Sequence, residues 1–73
     1  MPTTRFAIRG DHIALDQLLK ATGLAGTGGE AHAAVEAGLV RVDGRVESRK
    51  RAKLRPGQRV SLAGETVELT AEE

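Results

Sequence analysis

The sequence has no cysteine, tryptophan or tyrosine, and Phe6 is its single aromatic residue. Without cysteine it can form neither a disulfide framework nor a thiolate metal site, and its two histidines are too few for an ordinary structural zinc site. We therefore expect no cofactor. A chain of 73 residues lies near the lower limit for a self-sufficient hydrophobic core. We expect one domain over residues 1–73, with a core at about 5–69 held together by aliphatic packing.

The sequence also lacks long apolar runs and the motifs of enzymes. No stretch of about 18 apolar residues could cross a membrane, and the N-terminal segment does not have the form of a signal peptide. We therefore expect a cytoplasmic protein. There is no nucleophile elbow, no P-loop and no pair of carboxylates with an evident cleft, and the chain is too short to enclose a substrate pocket. These absences argue against catalysis.

Positive charge is concentrated in one part of the chain. Residues 41–59 carry eight basic side chains against Asp43 and Glu47, a net charge of +6. The remainder carries three basic and eight acidic residues, a net charge of −5, so the total of +1 conceals a polarised molecule. Such asymmetry indicates a polyanionic partner. The alternative is a solvated basic surface without a dedicated ligand.

The first third of the chain predicts a strand followed by a helix. Apolar and polar residues alternate over residues 4–9, which is typical of a half-buried strand, and Gly10-Asp11 ends the alternation. From Ile13 onward the spacing becomes that of an amphipathic helix, whose apolar stripe comprises Leu15, Leu18, Leu19 and Thr22. Gly23 is placed to end this helix in the left-handed conformation.

A second helix is predicted after the glycine-rich segment 24–29. Thr27 is a candidate N-cap, and Glu30 has the spacing of a capping box, in which its carboxylate would accept the N–H of Thr27. Both helices are short, so they need a packing partner. The stripe of the second helix comprises Ala31, Ala34, Val35 and Gly38, and Gly38 ends it.

A β-hairpin is predicted at Asp43-Gly44, one of the strongest short-range turn signals. A two-residue turn there would pair Val46 with Arg41 and so mix apolar and basic side chains on one face. A three-residue connection, 43–45, would pair Val42 with Val46 and keep one apolar face. We therefore predict the three-residue connection, with Val40, Val42 and Val46 anchoring the hairpin to the helices.

The rest of the chain predicts an exposed basic arm and a closing pair of strands. Residues 47–53 are too polar for a core strand, so we expect residues 49–53 to project from the hairpin. Leu54 returns to the core, and Pro56-Gly57 forms a turn. Strands at 60–62 and 67–69 complete the sheet, and the tail 70–73 is expected to fray. The predicted fold is α+β, with two packed helices against a small, mostly antiparallel sheet.

Two short segments could carry chemistry. Asp11, His12 and Asp16 lie close together in the sequence but lack a further ligand at a suitable spacing, so we interpret them as structural. The unpaired N–H groups at the start of the second helix could bind a phosphate, with Gly28 and Gly29 allowing close approach. The alternative there is a tight helix-helix linker, and both interpretations can hold together.

The order of residues along the chain resembles that of a known family. Leu15-Asp16-x-x-Leu19, Glu30-Ala31 and Val35-x-x-Gly38-x-Val40-x-Val42-Asp43-Gly44 are similar to the S-four RNA-binding domain, also called the alpha-L RNA-binding motif. More narrowly, residues 28–31 together with 43–51 resemble a free-standing bacterial subgroup of very small, YbcJ-like proteins. The resemblance covers residues 6–69, nearly the whole chain.

The resemblance implies two helices packed on a small sheet, with RNA bound across the second helix and the hairpin. Thr27 takes the place of the family's serine, and Gly28 stands where an arginine is common. His32 and Ala33 also replace basic residues, and Asp43 replaces the usual asparagine. The binding is therefore expected to rest on the basic arm. Because His32 is mostly uncharged near neutral pH, we expect only a modest pH dependence unless bound RNA favours its protonated form.

We therefore predict a non-catalytic module that binds structured RNA, ribosomal or transfer RNA, mainly through the phosphate backbone. The alternative is an adaptor whose basic arm docks on an acidic, ribosome-associated protein. We expect a monomer, because no large apolar patch is evident. The residues predicted to contact RNA are Thr27, Gly28, Gly29, His32, Arg41, Arg45, Arg49, Lys50, Arg51 and Lys53.

Overall fold

The computed structural model describes residues 3–72, which form seven strands and two helices. No helix within this range is long and apolar enough to span a membrane. In chain order the elements are β1 Thr3–Ile8, β2 Ile13–Ala14, α1 Leu15–Ala21, α2 Gly28–Glu36, β3 Arg41–Val42, β4 Arg45–Val46, β5 Lys53–Leu54, β6 Arg59–Leu62 and β7 Glu65–Ala71.

Five of the strands form one sheet, in the order β1-β7-β6-β3-β4. β1 runs parallel to β7, and the other pairings of this sheet are antiparallel. The short strands β2 and β5 pair antiparallel in a separate ribbon, so Ile13 and Ala14 are extended and α1 begins only at Leu15. The predicted α+β fold with a mostly antiparallel sheet is confirmed.

Both helices pack on the same face of the larger sheet, here called the helix face. Directly paired residues of antiparallel strands share a face, which places Val42, Val60 and Val67 together there. The opposite face, called the outer face, carries Arg41, Ser61 and other polar residues. The largest fully buried side chains are Ile8, Leu15, Leu18, Leu19, Leu54, Leu69, Val35, Val40, Val60 and Val67.

The helices end at the predicted glycines. Gly23 and Gly38 have φ angles of 79° and 74°, in the left-handed region that favours glycine. Thr27 caps α2, because its Oγ1 accepts the N–H of Glu30 at 3.1 Å. The predicted return bond is wrong, since the Glu30 carboxylate accepts the N–H of Gly26 at 2.8 Å rather than that of Thr27. The carboxylate thus closes the turn one residue before the cap.

The hairpin of β3 and β4 has a different register from the predicted one. Arg41 pairs with Val46, and Val42 pairs with Arg45, so the three-residue connection is wrong. Val46 consequently pairs with Arg41 on the outer face and is 54% exposed, so it is not part of the buried core. Val40 is fully buried and Val42 is half-buried, so these two valines provide the anchor.

Turn chemistry decides this register. Asp43 and Gly44 have φ angles of 53° and 83°, as a two-residue type I′ turn requires, and that turn matches the natural twist of the strands. The Oδ1 of Asp43 accepts the N–H of Arg59 at 3.0 Å, and the N–H of Asp43 donates to the Arg59 carbonyl at 2.8 Å. These hydrogen bonds connect the turn to β6. Together with the turn geometry they stabilise this register more than the burial of Val46 would stabilise the alternative.

The C-terminal segment belongs to the sheet. Ala71 pairs with Ile8 at the end of β7, and the N–H of Glu72 donates to the Ile8 carbonyl at 3.1 Å. The expectation of a frayed tail is therefore wrong for residues 70–72, while residue 73 lies outside the described residues. The parallel pairing with β1 connects the two ends of the chain, and local sequence patterns contain no signal for it.

Candidate nucleic-acid interface

Residues 47–53, called the basic loop, are packed against the start of α1. The carbonyl of Ala52 accepts the N–H of Leu15 at 2.9 Å, and the carbonyl of Lys50 accepts the N–H of Asp16 at 3.0 Å. Both N–H groups lie in the first turn of α1, whose N-cap residue has no side chain to bond them. Ala52 is buried. The predicted projecting arm is therefore wrong for the backbone, which is fixed to the helix.

The basic side chains of the loop remain exposed and divide into two directions. Arg49, Arg51 and Lys53 line one open hollow of about 440 Å³, with Ala52 as the fourth lining residue. Lys50 does not line this hollow but reaches α2. Three cations around one concavity form a site of the size and charge that a phosphate group can enter.

Each of the three consecutive cations has a carboxylate partner. The Lys50–Glu36 pair is exposed on both sides and is therefore weak, whereas the carboxylates of Glu47 and Asp16 are largely buried. The guanidinium groups of Arg49 and Arg51 are themselves exposed, so a phosphate can approach them from the solvent side. The side-chain hydrogen bond from Arg49 holds the pKa of the Glu47 carboxyl below its ordinary value. The pairs are Arg49 Nε with Glu47 Oε2 at 3.3 Å, Lys50 Nζ with Glu36 Oε2 at 3.6 Å, and Arg51 Nε with Asp16 Oδ2 at 3.7 Å.

Other cations within residues 3–72 make no ion pair there. They are Lys20, Arg41, Arg45, Lys53 and Arg55. Lys20 and Arg55 were not among the predicted site residues. The cations without an ion pair are therefore not concentrated where arginine and lysine are densest in the sequence.

Lys20 contributes a positive charge to the start of α2. It lies in the last turn of α1, and a Cβ built on Gly28 would be 4.0 Å from its Nζ. The position at which the resembling family commonly has an arginine is thus beside an ammonium from the neighbouring helix. Sequence reasoning missed this contact because it depends on how α1 and α2 pack, and the sequence shows only a favourable cation near the end of α1.

Asp16 links α1 to α2 through His32. The Asp16 carboxylate is buried, its Oδ1 accepts the N–H of Gln17 at 2.9 Å, and its Oδ2 is 3.0 Å from His32 Nε2. The hydrogen bond from His32 lowers the pKa of Asp16 below its ordinary value, although burial alone would raise it. The ring partner of Asp16 is therefore His32 on the other helix, while His12, its neighbour in sequence, is exposed.

The two hairpin arginines lie on different faces of the sheet. Arg45 pairs with Val42 and so lies on the helix face. Arg41 pairs with Ser61 on one side and Val46 on the other, which places it on the outer face. There it lines a separate groove of about 310 Å³ with the exposed Leu39. Arg41 is thus separated by the sheet from the helix side.

The predicted site residues, apart from Arg41, therefore lie on the helix side of the sheet. Asp16 contacts both His32 and Arg51 of the basic loop, and Glu36 at the end of α2 pairs with Lys50. Lys20 lies beside Gly28 at the start of α2. We call these residues, with Lys20, the helix-side surface. Its members are Lys20, Thr27, Gly28, Gly29, His32, Arg49, Lys50, Arg51 and Lys53. Arg45 lies on the same face of the sheet, and Arg41 does not.

Comparison with known proteins gives a consistent result. The family model of the S4 domain matches residues 6–70. Two proteins called YbcJ, from Escherichia coli (strain K12) and Shigella flexneri, are each 47% identical over 60 residues, which cover 82% of this chain and 86% of the relative. The solution structure of E. coli YbcJ is described as revealing an alpha-L motif involved in RNA binding. It has a TM-score of 0.68 and 42% identity, covering 97% of this chain and 89% of that chain.

Proposed function

The chain belongs to the S4 domain family, an RNA-binding family, and from this premise we propose that it binds structured RNA through the helix-side surface. The RNA is ribosomal or transfer RNA, held mainly by its phosphate backbone, and the protein acts as a non-catalytic, monomeric module in the cytoplasm. The observation that carries this proposal is the hollow between Arg49, Arg51 and Lys53, which lies in a loop fixed to α1.

The fixed backbone of the basic loop favours this function. A flexible arm would lose conformational freedom when it bound RNA, whereas a loop already bonded to α1 loses little. Arg49 and Arg51 can each direct two N–H groups at the oxygens of one phosphate. The loop therefore presents its charges at defined positions along the RNA backbone.

The start of α2 provides a second contact region. The free N–H groups there favour a negative charge, and Gly28 and Gly29 have no side chain to keep a phosphate away. Lys20 adds a full positive charge beside Gly28. With Phe6 as its single aromatic residue, the protein has no platform on which to stack bases, so we expect it to recognise the shape of RNA more than its sequence.

The alternative function, an adaptor for an acidic, ribosome-associated protein, would use the same cations. A photo-crosslinking residue placed in living cells at Ser48, an exposed position of the basic loop, distinguishes the two. The proposal expects crosslinked RNA whose sequence identifies ribosomal or transfer RNA. A matched probe at Glu65, an exposed position at the start of β7, serves as the control and should recover little RNA. Recovery of a protein and no RNA from Ser48 would support the adaptor.

A further inference from the structure

We propose that Asp16 is a positioning residue that turns the Nδ1 atom of His32 toward bound RNA, so that RNA binding takes up a proton at that nitrogen. This inference rests on the proposed RNA-binding function and adds to it a residue that contacts no RNA. It also gives the binding a specific dependence on pH.

Geometry leaves one ring nitrogen of His32 free. The Nε2 atom is 3.0 Å from Asp16 Oδ2, and the side chains of Asp16 and His32 are 9% and 39% exposed. Within residues 3–72, Nδ1 makes no hydrogen bond to the protein, and every buried side-chain nitrogen or oxygen there has a partner. Nδ1 is therefore open to solvent on the helix-side surface, between the start of α2 and the basic loop.

The charge state of Asp16 decides what Nδ1 can do. An ionised carboxylate only accepts hydrogen bonds, so the hydrogen of neutral His32 is on Nε2 and Nδ1 holds a lone pair. Phosphate oxygens also only accept, so they cannot bond to Nδ1 in that state. When Nδ1 gains a proton, it donates to the phosphate, and the imidazolium lies between two anions. RNA binding is thereby coupled to one proton.

Charges of both signs lie around His32 in the absence of RNA. Asp16 and Glu36 favour a positive ring, and the nearby cations oppose it. Two of those cations are already offset, because Arg51 lies 3.7 Å from Asp16 and Lys50 lies 3.6 Å from Glu36. A bound phosphate adds a further negative charge, which favours a proton on Nδ1. The charged groups around His32 are Asp16, which it contacts and which also pairs with Arg51, and Glu36, one turn along α2, which pairs with Lys50. Lys20 lies beside Gly28, one turn before His32 on α2.

The position of Asp16 itself is fixed. Its Oδ1 accepts the N–H of Gln17, and its own N–H donates to the carbonyl of Lys50. An asparagine at this position offers both a donor and an acceptor, so it no longer specifies which ring nitrogen of His32 holds the hydrogen. It also removes the negative charge that stabilises the imidazolium.

Affinity for a transfer RNA whose terminal phosphate has been removed tests the inference, measured at about pH 6 and pH 8 at constant ionic strength. We expect the wild type to bind about fivefold more tightly at the lower pH, below the limit of about tenfold per pH unit for a single proton. His32→Gln should abolish this difference, and Asp16→Asn should reduce it. His12→Gln, which changes the other histidine, should retain it.

Three results would overturn the inference while leaving RNA binding intact. They are equal wild-type affinities at the two pH values, an unchanged pH dependence in His32→Gln, and an unchanged dependence in Asp16→Asn. Absence of RNA binding at both pH values would instead reject the proposed function. If Asp16→Asn does not fold, calorimetry of the wild type in two buffers of different ionisation enthalpy counts the protons taken up, and a count of zero overturns the inference.

Discussion

The ammonium of Lys50 lies 3.6 Å from the Oε2 atom of Glu36, and this ion pair joins the basic loop to the last residue of α2. Glu36 therefore competes with RNA for Lys50. We predict that Glu36→Gln tightens RNA binding about twofold to threefold at low salt, with a smaller gain at high salt. Affinity measured over a salt series checks this. The gain should disappear in a Lys50→Ala background.

Glu65→Gln is the matched control for this prediction, because it removes the same charge from an exposed position at the start of β7. Its effect on RNA affinity should be smaller than that of Glu36→Gln. Equal effects of the two substitutions would mean that only the net charge of the protein matters. They would contradict a specific competition between Glu36 and RNA.

The start of α2 should accept an additional cation. A Cβ on Gly28 meets no atom of the protein closer than 4.0 Å, so an arginine fits there without displacing the backbone. We predict that Gly28→Arg strengthens RNA binding about threefold and steepens the salt dependence by about one phosphate contact. Ala7→Arg, at an exposed position of β1 away from the helix-side surface, adds the same charge and should do less. A weaker complex with Gly28→Arg would show that RNA does not approach this end of the helix.

Asp43 is expected to act in folding more than in binding. Alanine at this position has a left-handed backbone and loses the bond to Arg59, so Asp43→Ala should lower the free energy of unfolding by about 2 kcal/mol. Asparagine tolerates the same backbone and keeps an acceptor, so Asp43→Asn should stay within about 0.5 kcal/mol of the wild type. Urea denaturation measures both variants. Equal stabilities for the two would contradict the role assigned to the carboxylate.

Acid should weaken the link between α1 and α2. The pKa of Asp16 is lowered, chiefly by the hydrogen bond from His32, so the folded state favours the ionised carboxyl. That stabilisation is present above the ordinary pKa of an aspartate, near 4, and is lost as the pH falls through the lowered value. We predict that the stabilities of the wild type and Asp16→Asn converge as the pH falls below about 4. The measurement is the free energy of unfolding of both proteins as a function of pH. A difference between them that stays constant below about pH 4 would contradict the prediction.

Sequence patterns predicted the parts of the fold that depend on neighbouring residues. The stripe of Leu15, Leu18 and Leu19 fixed α1, and Gly23 and Gly38 marked the helix ends because each needs a left-handed backbone. The register of the hairpin differs from the predicted one because Asp43-Gly44 adopts a two-residue turn, whose geometry outweighs the burial of a third valine.

Contacts between distant segments could not be predicted in the same way. The pairing of β1 with β7, and the capping of α1 by carbonyls of the basic loop, join residues with no shared local pattern. The dense run of basic residues is visible in the sequence. The sequence does not show that Arg49, Arg51 and Lys53 line the hollow while Lys50 reaches α2. The contacts of Asp16 with His32 and of Lys20 with Gly28 depend on how the two helices pack.

We propose that RNA binds the helix-side surface through the hollow of the basic loop, and not through positive charge in general. Two triple variants separate these ideas because each removes three cations. One changes Arg49, Arg51 and Lys53 to alanine. The other changes Arg5, Arg9 and Arg59, exposed cations that lie outside the basic loop and pair with Glu68 or Glu72.

The most direct measurement is the RNA dissociation constant of the wild type and both triple variants over a series of salt concentrations. We predict that the loop variant binds about a hundredfold more weakly and has a salt slope smaller by about two to three phosphate contacts. The control variant should change affinity by less than about fivefold. Equal losses in the two variants, or an unchanged dissociation constant in the loop variant, would contradict the account.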